Sequence, residues 1–291
     1  MSAHEDLVTR INNQYPHMSK GQKRIAEYIL HDYDKAAFMT ALKLAEKAGV
    51  SESTVVRFAM AIDFDGYPAL QRALQEMVRN RLTTLQRMEL SSDMSHSMVL
   101  RSVLKADMNN IRMTIEEINA EVFDDIVESV YSARKLYIMG LRSSAPLAQF
   151  LGYYLSFFLD NVQVVTSGVN DVLEQLFHIG PEDVLIGISF PRYSRRTMEG
   201  MRYAQGRGAQ LVAITDSLVS PLASLAGRTL VARSDIASFV DSLVAPLSVV
   251  NALIVAIGMR EKEEVSSSFM ELEHIWEQYH VYADRERDEE A

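Results

Sequence analysis

Over the first eighty positions the apolar residues recur at three- and four-residue intervals, with no alternating stretch, which predicts a set of short helices. Ser19-Lys20-Gly21-Gln22 has the form of a capping box, with Ser19 capping the first-turn amides and Gln22 reaching back; Ile25, Tyr28 and Ile29 follow as an apolar stripe. A second helix starts after Thr40 and runs to Ala48, where Gly49 stops it. A third runs from Ser51 to about Ile62, and a fourth follows Gly66-Tyr67-Pro68. Residues 81–121 read as helical but less apolar, with a break at Ser91-Ser92-Asp93-Met94-Ser95. From about residue 122 short β-rich runs alternate with helical stretches: Leu136–Gly140, Val162–Thr166, Val184–Ser189, Gln210–Thr215 and Thr229–Ala232. Such alternation predicts βαβ units and a parallel sheet covered on both faces. A last helix is predicted over Glu271–Asp284, with Trp276 on its apolar side, before a charged, frayed end at 285–291. The expected organisation is an all-α domain over 1–80, a helical linker over 81–121, an α/β domain over 122–270, and a C-terminal helix and tail over 271–291.

A chain of 291 residues, 48% hydrophobic, is comfortable for two cores. No apolar run approaches the ~18 residues of a membrane span, and the acidic start MSAHEDLVTR is unlike a signal peptide. The absence of cysteine excludes disulfides and thiolate metal sites; the simplest compartment is the cytoplasm. The net charge of −10 argues against nucleic acid until its distribution is considered. Residues 1–90 hold twelve basic and eleven acidic side chains, whereas the rest holds 17 and 28. An acidic body therefore carries a near-neutral N-terminal unit that can present a basic face of its own.

Residues Ala41–Ile62 meet the separate demands of a helix-turn-helix. Ala45 is small enough for the closest approach of two helices, Gly49 tolerates the positive φ of the turn, and Val55 locks the second helix onto the first. Leu44, Ala48, Val50 and Phe58 complete a miniature core. The second helix then presents Ser53, Thr54 and Arg57 outward, with Glu52 near its start and Ser51 before it. Its first residues enter the major groove, where Arg57 can read guanine or hold a phosphate. Lys20, Lys23 and Lys43 are candidate contacts to the DNA backbone. The plain alternative is a small three-helix bundle with a solvated Arg57.

In an open parallel sheet, ligands bind beyond the carboxyl ends of the strands, where strand order reverses. Two loops fall at such ends: Gly140-Leu141-Arg142-Ser143-Ser144 and Ser189-Phe190-Pro191-Arg192-Tyr193-Ser194-Arg195-Arg196-Thr197. Both are rich in hydroxyls and arginine, and both precede helices, whose N-terminal amides favour anions. They point to an anionic small molecule. The alternatives are that Ser143 and Ser189 only cap helices, and that Arg192, Arg195 and Arg196 form a solvated charge run.

Together the two halves resemble the RpiR (MurR/RpiR) family of bacterial transcription regulators. The carriers are SKGQKRIAEYIL (Ser19–Leu30) and LAEKAGVSESTVVRFAMAIDFDGY (Leu44–Tyr67) in the first half. In the second, which looks like a sugar isomerase (SIS) domain, they are YIMGLRSS (Tyr137–Ser144), VLIGISFPRYSRRT (Val184–Thr197), AQLVAITD (Ala209–Asp216) and SFVDSLVAPLSVVN (Ser238–Asn251). The resemblance implies a flavodoxin-like five-stranded parallel sheet that binds a phosphosugar or related anion such as a sugar acid. It also implies homodimers or homotetramers on palindromic DNA operators of carbohydrate metabolism. By resemblance, Gly140, Arg142, Ser143 and Ser144 are ligand residues of the first loop. Ser189 and Thr197, with Ser194 as a further hydroxyl donor, belong to a second loop of the form S-x-S-G-x-T. That loop departs from the pattern: Pro191 and Arg192 stand for the second Ser and the Gly, so the cradle is rebuilt around Arg192, Tyr193 and Arg195.

The rival readings are a sugar-phosphate-binding protein that does not bind DNA and a phosphosugar isomerase, each with an added helical domain. Isomerisation needs a base, and Glu174, His178, Glu273, His274 and His280 qualify by type without forming a constellation. No spaced His pair suggests a metal, no Gly-x-Ser-x-Gly elbow suggests a nucleophile, and no cofactor is implied. The helix-turn-helix tips the reading to a regulator rather than an enzyme.

Overall fold

The computed structural model describes residues 3–81, 96–168, 170–235, 240–260 and 262–282. These fall into two compact units, one reaching Val103 and including Val240, the other taking Leu104–Asp235 and the chain from Asp241 on. The expected break at Ser91–Ser95 and the charged end at 285–291 lie outside the described residues.

The first unit consists of helices α1 (Ala3–Gln14), α2 (Lys20–His31), α3 (Tyr33–Ala36), α4 (Ala41–Ala48), α5 (Glu52–Ala61) and α6 (Tyr67–Arg81). The capping box forms as the sequence suggests: Ser19 Oγ accepts from the Gln22 amide, and Gln22 Oε1 accepts from the Ser19 amide. Helices α1 and α3 are additions to the sequence reading. Leu7 and Ile11 from α1 join Ile25, Ile29, Leu44, Phe58, Leu70 and Leu74 in one buried cluster. Beyond the end of α3, the Met39 carbonyl accepts from both Tyr67 Oη and Gln71 Nε2, each at 2.7 Å, and the Ala37 carbonyl accepts from Gln75 Nε2 at 3.1 Å. Helix α6 thus satisfies carbonyls of the loop that follows α3. Burial pushes the Tyr67 phenol up to about 12.

Helix α7 (His96–Glu117) begins in the first unit and continues into the second, where it and α8 (Ala120–Tyr131) lead into an α/β layer. Strands β1 (Leu136–Gly140), β2 (Val162–Val165), β3 (Val184–Ile188), β4 (Gln210–Thr215) and β5 (Arg228–Val231) form one parallel sheet in the order β2-β1-β3-β4-β5. Its helices are α9 (Ala145–Leu155), α10 (Val172–Gln175), α11 (Arg195–Gly206), α12 (Val244–Arg260) and α13 (Lys262–Gln278). The order is that of the flavodoxin-like sheet. All five predicted strands are present; the second and third end one residue early, leaving Thr166 and Ser189 to the loops, and the fifth is shifted one residue earlier.

Strands β1 and β3 are buried at every position, as strands covered on both faces must be. Alternate residues supply two cores. Leu136, Ile138, Ile186 and Ile214 pack under α8, α9 and α12, and Tyr137, Met139, Leu185 and Ala213 under α11. The last helix is a correction. It spans Lys262–Gln278, where the sequence predicts Glu271–Asp284, of which residues 283–284 lie outside the described residues; Phe269 and Trp276, two turns apart, both meet the Phe157 ring, at 6.1 and 6.2 Å. Among the described residues no single helix is long and apolar enough to cross a membrane.

The shared Met39 carbonyl yields a prediction. Tyr67→Phe alone should cost about 1 kcal/mol, since Gln71 still donates, whereas adding Gln71→Ala should cost more than the sum by orphaning that carbonyl. Urea unfolding of the two single variants and the double variant, followed by far-ultraviolet circular dichroism, measures the difference; simple additivity would show the two donors act independently.

Candidate functional site

Helix α4 is capped by Thr40, whose Oγ1 accepts from the Lys43 amide at 3.2 Å, and it ends at Gly49 with φ 63°. That left-handed backbone is the conformation the turn requires of glycine. Ala45 and Val55 are buried where the two helices meet, beside Leu44, Ala48 and Phe58; Val50 packs partly buried against them. Ser51 is the N-cap position of α5, but its hydroxyl engages Ser53 Oγ at 2.9 Å and Thr54 Oγ1 at 2.8 Å rather than a backbone amide. The start of α5 therefore carries a cluster of three hydroxyls. Ser51, Glu52, Ser53 and Arg57 are exposed and Thr54 is half-buried. Arg57 Nε reaches its own helix at the Ser53 carbonyl, 3.3 Å away, which lays the guanidinium along the same face.

The candidate backbone contacts differ from one another. Lys20 is exposed beside Gly21, and a Cβ on Gly21 would meet Thr54 Cγ2 at 3.3 Å, so α2 begins against the start of α5. Lys43 is exposed in the first turn of α4. Lys23 is half-buried with its ammonium 5.2 Å from the centre of the Tyr15 ring.

The second site is a cleft of about 690 Å³ beyond the ends of β1 and β3. These neighbours are the switch point of the sheet, because the chain leaves β1 towards β2 and β3 towards β4. The cleft collects most of the predicted residues from both loops: Arg142, Ser143, Ser144, Ser189, Arg192, Tyr193, Ser194 and Arg195. Arg142 and Arg192 have φ 56° and 66°, so each loop holds an exposed arginine in the left-handed region. Arg192 stands where the S-x-S-G-x-T pattern has glycine and keeps a glycine-like backbone.

Hydroxyls organise the second loop. Ser189 Oγ accepts from the Ser194 amide at 3.1 Å, and Ser194 Oγ accepts from the Thr197 amide at 3.3 Å, capping α11. Counted from Ser189, the six-position pattern ends on Ser194, and Ser194 lines the cleft. Thr197 does not: it is fully buried in the first turn of α11, and its Oγ1 has no partner among the described residues. Gly140 also stays off the cleft wall. A Cβ there would stand 2.5 Å from the Ser144 carbonyl oxygen and 2.9 Å from Ala148 Cβ, so Gly140 lets the start of α9 close over the end of β1.

Electrostatics divides the arginines. Arg195 pairs with Glu199 at 2.9 Å, and Arg196 bridges Asp171 at 2.8 Å and Glu199 at 3.2 Å. The hydrogen bond from Arg195 chiefly holds the Glu199 carboxyl below its ordinary value. These two cations carry local counterions at the rim. Tyr193 Oη donates to the buried Asp216 at 2.7 Å, fixing its ring on the wall. Sequence reasoning missed Ser167 and Asp241, both on the cleft. Ser167 lies two residues beyond β2, and the strand-end rule applied to that strand would have found it. Asp241 has no local signal. None of Glu174, His178, Glu273, His274 and His280 lines the cleft; Glu174 instead completes a capping box with Asp171.

Two family models match the chain. A helix-turn-helix domain of the rpiR family covers residues 5–81, and a SIS domain covers residues 129–256. The HTH-type transcriptional regulator HexR of Escherichia coli (strain K12) is 27% identical over 263 residues, covering 88% of this chain and 89% of that protein. The sugar isomerase domain of an RpiR transcription factor from Sphaerobacter thermophilus is 32% identical at a TM-score of 0.57, spanning 59% of this chain and 96% of that structure. The Vibrio vulnificus NanR protein complexed with ManNAc-6P is 21% identical at a TM-score of 0.58, spanning 96% of this chain and all of that one, a likeness of fold.

The two loop positions predict opposite responses. Arg192→Gly should leave stability within about 1 kcal/mol, because relief of the left-handed strain offsets the added freedom of the unfolded chain. Gly140→Ala should cost about 1–3 kcal/mol, because the obstacles are a backbone oxygen and a methyl group. Thermal unfolding of both variants compares them; equal losses would show that Arg192 is not held under strain.

Proposed function

This chain belongs to the RpiR family of helix-turn-helix transcription regulators, and from that premise we propose that its operator binding is modulated by a phosphosugar or related anionic metabolite held in the cleft of its SIS domain. The observation that carries the reading is the convergence of two serine- and arginine-bearing loops on one cleft at the switch point of the sheet. Serine hydroxyls, helix-start amides and guanidinium groups are the donors that a phosphate or carboxylate accepts from. A protein of similar overall fold is described in complex with ManNAc-6P, a phosphorylated amino sugar, and we assign the same broad ligand class here. The regulated genes, on this reading, serve carbohydrate metabolism.

On the DNA side, a homodimer or homotetramer presents paired helix-turn-helix units to a pseudo-palindromic operator. Arg57, Ser53, Thr54 and Ser51 face the major groove, while Lys20 and Lys43 hold phosphates; Lys23, drawn to Tyr15, contributes less. A ligand shifts this equilibrium only by its differential affinity for the bound and free forms. The reading is supported by the hydroxyl cluster and Arg57 on one exposed face, and by a cleft that gathers none of the bases proposed for isomerisation.

Arg57→Ala should weaken specific operator binding by about 1–3 kcal/mol if the side chain reads a base, measured by fluorescence anisotropy on a selected operator. Unchanged affinity and sequence preference would remove Arg57 from the interface. A thermal-shift panel of phosphosugars, sugar acids and unphosphorylated sugars tests the cleft. A true ligand at one hundred times its dissociation constant adds about 2.7 kcal/mol. The shift should vanish in a Ser143→Ala, Ser144→Ala double variant that still binds DNA, and a full response there would place the ligand elsewhere.

A further inference from the structure

Helix α7 is fastened along one face to the chain that leaves β5. Asp107, Asn110, Thr114 and Glu117 are spaced three and four apart, so they share a side of the helix. Each makes a specific bond. The fully buried Asn110 amide pairs with the backbone of Asp235 in both directions, donating to its carbonyl at 2.9 Å and accepting from its amide at 3.0 Å. Thr114 Oγ1 accepts from the Arg233 amide at 2.9 Å, and the Arg233 guanidinium grips Glu117 at 2.6 and 2.7 Å. Asp107 accepts from Ser242 Oγ at 2.6 Å. Ser242 is a junction: its Oγ also accepts from the Val244 amide at the start of α12, at 3.4 Å.

The residue before Ser242 is Asp241, which lines the ligand cleft with Arg142, Ser143 and Arg192. One peptide bond therefore joins a cleft wall to a bond on α7. We propose that Asp241, Ser242 and Asp107 form a strut through which occupancy of the cleft is read by helix α7, and that its trigger is a ligand hydroxyl rather than the anionic group. The inference rests on the reading of the cleft as an effector site. The arginines and serines of the two loops hold the anionic end. Asp241 is different chemistry: its carboxylate accepts hydrogen bonds and repels anions. A ligand that reaches it must bring a hydrogen-bond donor, which a sugar hydroxyl supplies and inorganic phosphate held in the anion subsite does not. Binding at Asp241 then bears on Ser242, the hinge of the Asp107 contact. Helix α7 begins at His96, in the first unit, and continues into the second, so it is one of the covalent routes between them.

Hydrogen–deuterium exchange on the full chain, read over residues 104–117 and over both cleft loops, tests the strut. Without ligand, Ser242→Ala should speed exchange of residues 104–117 about fivefold, the factor commanded by one lost hydrogen bond, while Ser242→Thr, which keeps the hydroxyl, should stay at the wild-type rate. Wild-type rates over 104–117 in Ser242→Ala would overturn the proposal with no ligand involved. Glucose 6-phosphate and 6-phosphogluconate should protect both the cleft loops and residues 104–117 in the wild-type protein, but the loops alone in Asp241→Ala and in Ser242→Ala. Inorganic phosphate should protect the loops alone in all three. Protection of residues 104–117 in either alanine variant, or by inorganic phosphate, would overturn it. Protection of the cleft loops by none of these compounds would overturn the effector reading and the proposal together, whereas protection of the loops without residues 104–117 in the wild-type protein would overturn the proposal alone.

Discussion

At the carboxyl ends of β1 and β3 the chain must leave the sheet in opposite directions, and the α/β half depends on that divergence. Helix α9 returns over one face and α11 over the other, each burying its own half of the alternating strand residues. The gap between the departing loops cannot be closed by either helix, so it is lined by loop side chains and helix starts. A polar cleft at this point is a consequence of parallel topology before it is a property of any residue. What the sequence adds is the sign of its charge and the hydroxyls around it.

Holding that lining in place has a local cost. Arginines occupy the left-handed region in both loops, a conformation that costs on the order of 1–3 kcal/mol for a residue with a Cβ. The surroundings of these loops are the successive serine–amide bonds of the second, Ser194 N–H to Ser189 and Thr197 N–H to Ser194, and the closure of α9 over Gly140 in the first. Neither loop is free to slide, so the guanidinium groups are presented from fixed backbones. Arg142 and Arg192 both line the cleft, each on a left-handed backbone.

The parts of the fold that were legible beforehand are those set by neighbours in sequence. The Ser19 capping box, the Thr40 cap, the left-handed Gly49 and the buried Ala45 and Val55 each follow from a demand within one turn or one helix crossing. The strands were legible because burial on both faces leaves unbroken apolar runs. Site residues were legible where a strand end and a helix start adjoin. Thr197 was misplaced because residue type was matched without counting positions, and Ser194 fills the role at the helix cap. Asp241, the Asn110 clasp and the Arg196–Asp171 bridge were not legible, because each depends on partners brought together by the sheet across tens to more than a hundred residues. The last helix was misjudged for the same reason: it packs on Phe157, a distant ring.

That ring has a spectroscopic consequence. Trp276 is the only tryptophan in the chain, and it sits edge-on to Phe157 and Tyr282. Indole emission is therefore a private reporter of how the C-terminal helix seats on its own unit, and the helix-turn-helix unit is silent at that wavelength. An intensity change on adding DNA is therefore reported from the half of the molecule that carries the sheet, without a label.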